Sequence, residues 1–186
     1  PMTELVGIAG SLRAGSFNRS LLEAAARLAP QGVSLRIASI DEVPLYNADV
    51  ERDSGVPASV RRLQDRIAAA DGLILASPEY NSSIPGVLKN VMDWLSRPPD
   101  QIGRVFRDRP VAVIGATPGG LGTVLSQTAW LPVLKALGTR QWSGDRLSVS
   151  RAGELVDADG RIKDARLEDR IKDFMRGFAE FATARE

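Results

Sequence analysis

Three stretches are apolar almost without a break: Leu5 to Ala9, Gly72 to Ala76 and Val111 to Gly115. They do not alternate with polar residues, as a strand with one wet face would, and they are too short to be helices. Strands of this kind belong to a parallel sheet covered on both faces. Val33 to Ile40 reads as a further strand, and a weaker one lies within Arg140 to Val149. Helical patterns fill the intervals. Asn18 to Leu28 sets Leu21, Leu22, Ala25 and Leu28 on one face, and Pro57 opens a helix carrying Val60, Leu63, Ile67 and Ala70. Pro85 or Gly86 opens a third helix, Thr123 to Leu137 forms a fourth and Leu167 to Phe181 a fifth. Strand and helix in turn predict an α/β fold, a doubly wound five-stranded parallel sheet with helices on both faces.

At 186 residues, with 44% apolar and 25% charged residues and no linker or repeat, the chain (1–186) reads as a single domain. Asp41 to Gly55, Arg97 to Arg109 and Arg151 to Arg166 read as polar surface connections. Pro1, ahead of Met2, reads as a leftover of expression and is set aside. No apolar run approaches the ~18 residues of a membrane span and no signal-like segment opens the chain, so a cytoplasmic protein without an integral membrane segment is expected.

The absences are as informative. Without cysteine there is no thiolate nucleophile, disulfide or Cys-ligated metal, and without histidine there is no imidazole base. A net charge of +1, with the basic residues scattered, gives no argument for nucleic acid. The chain either borrows its chemistry from a cofactor or performs none.

Between the first strand and first helix lies Gly10-Ser11-Leu12-Arg13-Ala14-Gly15-Ser16-Phe17-Asn18. An open parallel sheet presents backbone N–H groups and a helix N-terminus to anions at this place. Gly10 and Gly15 have P-loop spacing, but Ser16 and Phe17 stand where Lys and Ser/Thr are required, and the third glycine of a dinucleotide fingerprint is missing. Ser11, Arg13, Ser16 and Asn18 suit a single terminal phosphate. Read alone, Ser16 or Asn18 is equally an N-cap and Arg13 a solvated charge. After the third strand comes Pro78-Glu79-Tyr80-Asn81, a polar turn able to offer hydrogen bonds and a wall to a flat ring, or simply to reverse the chain. Thr117-Pro118-Gly119-Gly120-Leu121-Gly122-Thr123 follows the fourth strand, and its glycines admit a ring, a second subunit, or nothing more than a flexible turn.

With these stretches in order, the chain resembles the NAD(P)H-dependent FMN reductases of flavodoxin-like fold, and among them the bacterial quinone and chromate reductases. The likeness rests on Gly10-Ser11-Leu12-Arg13-x-x-Ser16-Phe17-Asn18, on Pro44-Leu45-Tyr46-Asn47-Ala48-Asp49, on Pro78 to Asn81 with Ser83-x-Pro85-Gly86-x-Leu88-Lys89-Asn90-x-x-Asp93-Trp94, and on the glycine loop. It implies strand order 2-1-3-4-5, with both polar loops at the crevice between the first and third strands. It also implies FMN, with Ser11, Arg13, Ser16, Phe17 and Asn18 at its phosphate and ribityl chain. Pro78, Glu79, Tyr80 and Asn81 would line the isoalloxazine, and Thr117, Gly119 and Gly120 its remaining edge. Pro118 and Thr123 depart from the usual glycine loop, which touches only that last expectation.

The expected activity is ping-pong electron transfer from NADPH or NADH to a quinone-like acceptor, with chromate, ferric complexes and azo compounds as further acceptors, and no catalytic side chain. A flavodoxin-type electron carrier is the alternative class, which a sequence pI of 8.7 disfavours. A reductase supplying reduced FMN to a monooxygenase is a third reading. The resemblance implies a homodimer or homotetramer; Trp94, Trp130 and Trp142, near helix ends or loops, serve such contacts or ordinary packing. Arg97, Arg104, Arg107 and Arg109 are candidates for meeting a ribose 2′-phosphate.

Overall fold

The computed structural model describes residues 2–184, so Pro1 lies outside the described residues. Its strands are β1 (Thr3–Ala9), β2 (Val33–Ala38), β3 (Gly72–Ala76), β4 (Pro110–Ala116), β5 (Arg140–Gln141) and β6 (Ser148–Val149). The helices are α1 (Phe17–Arg27), α2 (Ala48–Ser54), α3 (Ala58–Ala69), α4 (Gly86–Leu95), α5 (Gln101–Phe106), α6 (Val124–Ala136), α7 (Ala152–Leu155) and α8 (Ala165–Thr183). The sheet runs β2-β1-β3-β4-β5 with parallel pairing throughout, Leu5 lying opposite both Leu35 and Gly72. The chain winds one way from β1 to β2 and the other way from β1 to β3, which opens a crevice where β1 and β3 end.

The apolar runs divide cleanly between two faces. Leu5, Ala9, Ile74, Ala76, Ala112 and Ile114 pack under α1 and α8. Val6, Ile8, Leu73, Leu75 and Val111 pack under α3, α4 and α6. Each fully buried Leu or Ile contributes roughly 1.5–3 kcal/mol, so both helix layers are held by the same few strands.

The fifth position of the sheet is broken. β5 pairs with Pro110 and Val111, β6 pairs with Gly115 and Ala116, and the chain between them leaves the sheet. Trp142 is the cause: its indole packs on Phe174 at 5.2 Å and Phe178 at 5.5 Å on α8, and the chain at Gly144 folds closely against that ring. The weak strand expected over 140–149 is therefore two short pieces.

The three expected surface connections also carry structure. Asp41 to Gly55 contains α2, whose N-cap Asn47 accepts from the Asp49 amide at 2.9 Å. Arg97 to Arg109 contains α5, which buries Val105 and Phe106. Arg151 to Arg166 contains α7 and an antiparallel bridge between Val156 and Ile162. Among the described residues no helix is long and apolar enough to cross a membrane.

Candidate functional site

Three loops leave the sheet at one edge, after β1, β3 and β4, and direct contacts join the first two. Gly10 N donates to Ala76 O at 2.8 Å, and a Cβ on Gly10 would lie 2.8 Å from Leu88 and 3.0 Å from Pro78. Glycine at this position leaves room for the Leu88 side chain and the Pro78 ring. Above them the Tyr80 hydroxyl reaches Ser11 Oγ at 3.5 Å.

The first loop ends on Ser16, whose hydroxyl caps α1 by accepting from Arg19 N at 3.3 Å. The exposed Arg13 guanidinium lies 5.4 Å from the centre of the Phe17 ring and makes no ion pair among the described residues. Asn18 behaves differently. It is buried, and its carboxamide grips the end of β4 from both sides, donating to Ala116 O at 2.9 Å and accepting from Ala116 N at 3.0 Å. It fixes α1 to the sheet beside the buried Ser16 cap, while Ser11 is half-buried and Arg13 exposed.

In the second loop Tyr80, Asn81, Ser82 and Ser83 form a tight reversal closed by two 3.1 Å backbone bonds. Asn81 (φ 51°) and Ser82 (φ 61°) are both left-handed, as a type I′ turn requires. Pro78 is buried, whereas Tyr80 and Asn81 are exposed. Glu79 turns away from the open side. One of its oxygens accepts from Leu125 N at 2.9 Å and Ser126 N at 3.2 Å, at the start of α6. Beneath the turn, buried Ser77 accepts from Trp130 Nε1 at 2.8 Å and meets Ser126 Oγ at 2.9 Å.

The third loop is anchored at its ends. Thr117 N donates to Val149 O at 2.9 Å, Thr117 O accepts from Ala152 N at 3.0 Å, and Gly119 O accepts from Arg151 N at 2.9 Å. Gly119 and Gly120 stay exposed, with nothing but the Thr117 hydroxyl near a Cβ built on either. Thr123 is fully buried and its hydroxyl accepts from Gln127 at 3.1 Å. It stands over Gly115, where a Cβ would fall 1.9 Å from the threonine oxygen, so this pair fits together as a unit.

The Pro44 to Asp49 stretch proves to be the packing partner of another motif. Asn90 accepts from Tyr46 N and donates to Pro44 O, both at 2.8 Å, and Trp94 Nε1 donates to Pro44 O at 2.8 Å. Glu51 joins the same surface by receiving Arg97 Nε at 2.9 and 3.0 Å and the Tyr46 hydroxyl at 3.0 Å. The Arg97 guanidinium, aided by the tyrosine hydroxyl, holds the Glu51 carboxyl below the usual range. Reciprocally, the bond to Glu51 raises Tyr46.

Two readings that the sequence leaves open are narrowed. Arg104, Arg107 and Arg109 come just before β4, toward the end of the sheet where the strands begin, and Arg97 lies against α2. Arg97 is held by Glu51, Arg104 by Asp65 and Gln101, and Arg109 by the carbonyls of Val105 and Ala70 among others. Trp94 and Trp130 are fully buried and Trp142 packs on α8, so none is a free contact surface. The Ser77, Ser126 and Trp130 cluster was not singled out from sequence; its one signal is a serine directly after five apolar residues of β3.

The edge thus has a cationic, hydroxyl-bearing end at α1 and a flat, exposed end between Tyr80 and Gly120. Residues 3–154 match the NADPH-dependent FMN reductase family. An NAD(P)H-dependent FMN reductase of Pseudomonas aeruginosa is 41% identical over 169 residues, 91% of this chain and 89% of the relative. A 2-hydroxy-1,4-benzoquinone reductase of a Burkholderia species is 36% identical over 178 residues, 96% of this chain and 95% of the relative. Among solved structures, a flavoenzyme NAD(P)H:(acceptor) oxidoreductase from Paracoccus denitrificans superposes with a TM-score of 0.86 at 32% identity, covering 97% of both chains.

Proposed function

The chain belongs to the NADPH-dependent FMN reductase family, and on that premise we propose that it reduces quinones with NADPH or NADH, using FMN at the edge where β1, β3 and β4 end. The observation that carries this reading is that a cationic loop and two loops with exposed residues all leave the sheet where β1, β3 and β4 end. The residues fit the cofactor. Arg13 has a guanidinium with no ion-pair partner among the described residues, Ser11 and the Ser16 cap add hydroxyls, and the α1 N-terminus favours a phosphate. Gly119 and Gly120 leave room for a ring against the Pro78 to Asn81 turn.

In this reading Ser11, Arg13, Ser16 and Phe17 hold the phosphate end, with Asn18 steadying α1 beneath them. Pro78, Tyr80 and Asn81 wall the ring, Glu79 acts from behind the turn, and Thr117 shapes the glycine loop. When bound, FMN supplies the redox chemistry, taking a hydride from the nicotinamide and delivering two electrons to the acceptor, a quinone gaining two protons to become the hydroquinone. The chain's own part is to position and to exclude alternatives, which needs neither histidine nor cysteine. An open edge makes few demands on acceptor shape, so chromate, ferric complexes and azo compounds join quinones in the proposal.

We also propose that the protein is a homodimer or a tetramer of dimers. α6 carries apolar residues on its outer side as well as its inner one: Leu125 is 47% and Leu131 52% exposed, and Leu121 before it is 79% exposed. A second copy would cover this surface and wall the ring side. The test of function is the visible spectrum of purified protein given FMN, then NADPH or NADH without oxygen, then a quinone. The expected result is a bound flavin that bleaches with the donor and recovers with the quinone. A protein that takes up no FMN, or whose flavin neither donor reduces, overturns the proposal.

A further inference from the structure

Helices α1 and α6 both begin at the candidate edge, and their first turns are capped in different ways. A helix N-terminus carries roughly half a positive charge and takes a carboxylate or a phosphate equally well. At α1 the cap is the neutral hydroxyl of Ser16. At α6 the adjoining Thr123 makes no side-chain cap, because its hydroxyl is committed to Gln127. The Leu125 and Ser126 amides instead converge on one oxygen of Glu79, which arrives from the loop after β3, 46 residues earlier in sequence than Leu125. The helix is 13 residues long, so its end is a full-strength anion site, and the chain fills that site with its own carboxylate.

We propose that Glu79 is a positioning residue that serves as a built-in anion, barring a phosphate from the α6 end of the edge and tying the Tyr80 turn to the first turn of α6. The consequence for the cofactor rests on the FMN reading above: the phosphate is directed to α1 and the ring to the α6 side, so that binding has one orientation. The lock is firm because Ser126 also meets Ser77 beneath the turn, at 2.9 Å. Ser77 and Glu79, both from the loop after β3, are thus held to the first turn of α6 at one point.

The experiment is a titration of cofactor-free protein with inorganic phosphate, followed by amide resonances. In the native protein only the amides around Ser16 to Asn18 should shift. In Glu79→Ala the Leu125 and Ser126 amides should shift as well, because the emptied helix end now accepts phosphate. Glu79→Gln keeps a carbonyl oxygen on both amides and should not gain this response. FMN affinity should fall about tenfold in Glu79→Ala, the loss of hydrogen bonds to a charged group, and stay within about threefold in Glu79→Gln. Should Glu79→Ala fail to fold, Glu79→Ser, whose hydroxyl is too short to reach Leu125, gives the same readout. Phosphate shifts at Leu125 and Ser126 in the native protein, or none there in the emptied variant, overturn the proposal. Failure of the FMN reading is distinct: phosphate would then respond as described at α6 while FMN bound to neither protein.

Discussion

Several side chains at the candidate edge act on other parts of the protein, and only some face the open crevice. Ser77 shows the energetic stake. Replacing it with Ala removes the acceptor of Trp130 Nε1 and the neighbour of Ser126 in a site without water access, and should lower stability by about 1–3 kcal/mol in urea unfolding. Arg13 is the opposite case, exposed and unpaired among the described residues. Arg13→Ala should leave the unfolding midpoint unchanged and weaken FMN binding by roughly 1.5–3 kcal/mol, which a fluorescence titration measures. Equal FMN affinity would make the arginine a solvated charge and nothing else. From sequence, Ser16 was legible as a cap and Arg13 as a candidate cation. Asn18 and Glu79 were not resolvable, because what decides their roles is a partner 98 residues away in one case and 46 in the other.

At the level of elements, what the sequence disclosed follows the source of each element's stability. β1, β3 and β4 are buried on both faces, so their composition alone reveals them; α2, α5 and the split fifth strand are held by contacts that no local pattern displays. α2 is an example, since its place depends on Tyr46 meeting Asn90 and on Glu51 meeting Arg97. The Glu51 carboxyl is depressed in the folded state, so its contribution is complete above the ordinary glutamate range and is lost as pH falls through the lowered value. The stability difference between native protein and Glu51→Gln should therefore shrink steadily on acidification, as denaturant curves at several pH values will show. A constant difference would mean that the pair does not titrate. The junction of β4 with α6 is less forgiving. A methyl on Gly115 would collide with Thr123 Oγ1 and lie 2.5 Å from the Ser77 carbonyl, so Gly115→Ala should cost about 3 kcal/mol or more and disturb both loops.

For the whole molecule, the decisive quantity is how much of the candidate edge one chain can enclose. Leu12, Tyr80, Gly119, Gly120 and Leu121 are all exposed there, and the outer side of α6 continues the apolar surface. Light scattering should give a dimeric or tetrameric mass, and Leu131→Asp should shift it toward the monomer if α6 is the contact; an unchanged mass would place the interface elsewhere. The two helix layers were legible from the alternation of apolar runs and amphipathic segments, and the strand order from the family resemblance. The exposed leucines on the outer side of α6 are not distinguishable in sequence from those of an ordinary core helix. The three tryptophans carry a different consequence, an optical one. Trp94 bonds to Pro44 far along α4, Trp142 sits in the aromatic ladder of α8, and Trp130 lies one hydrogen bond below the turn that would face the ring. A protein keeping Trp130 as its only indole would therefore glow in proportion to the empty fraction, its excitation passing to the yellow cofactor on binding, and the chain would report its own loading without any attached dye.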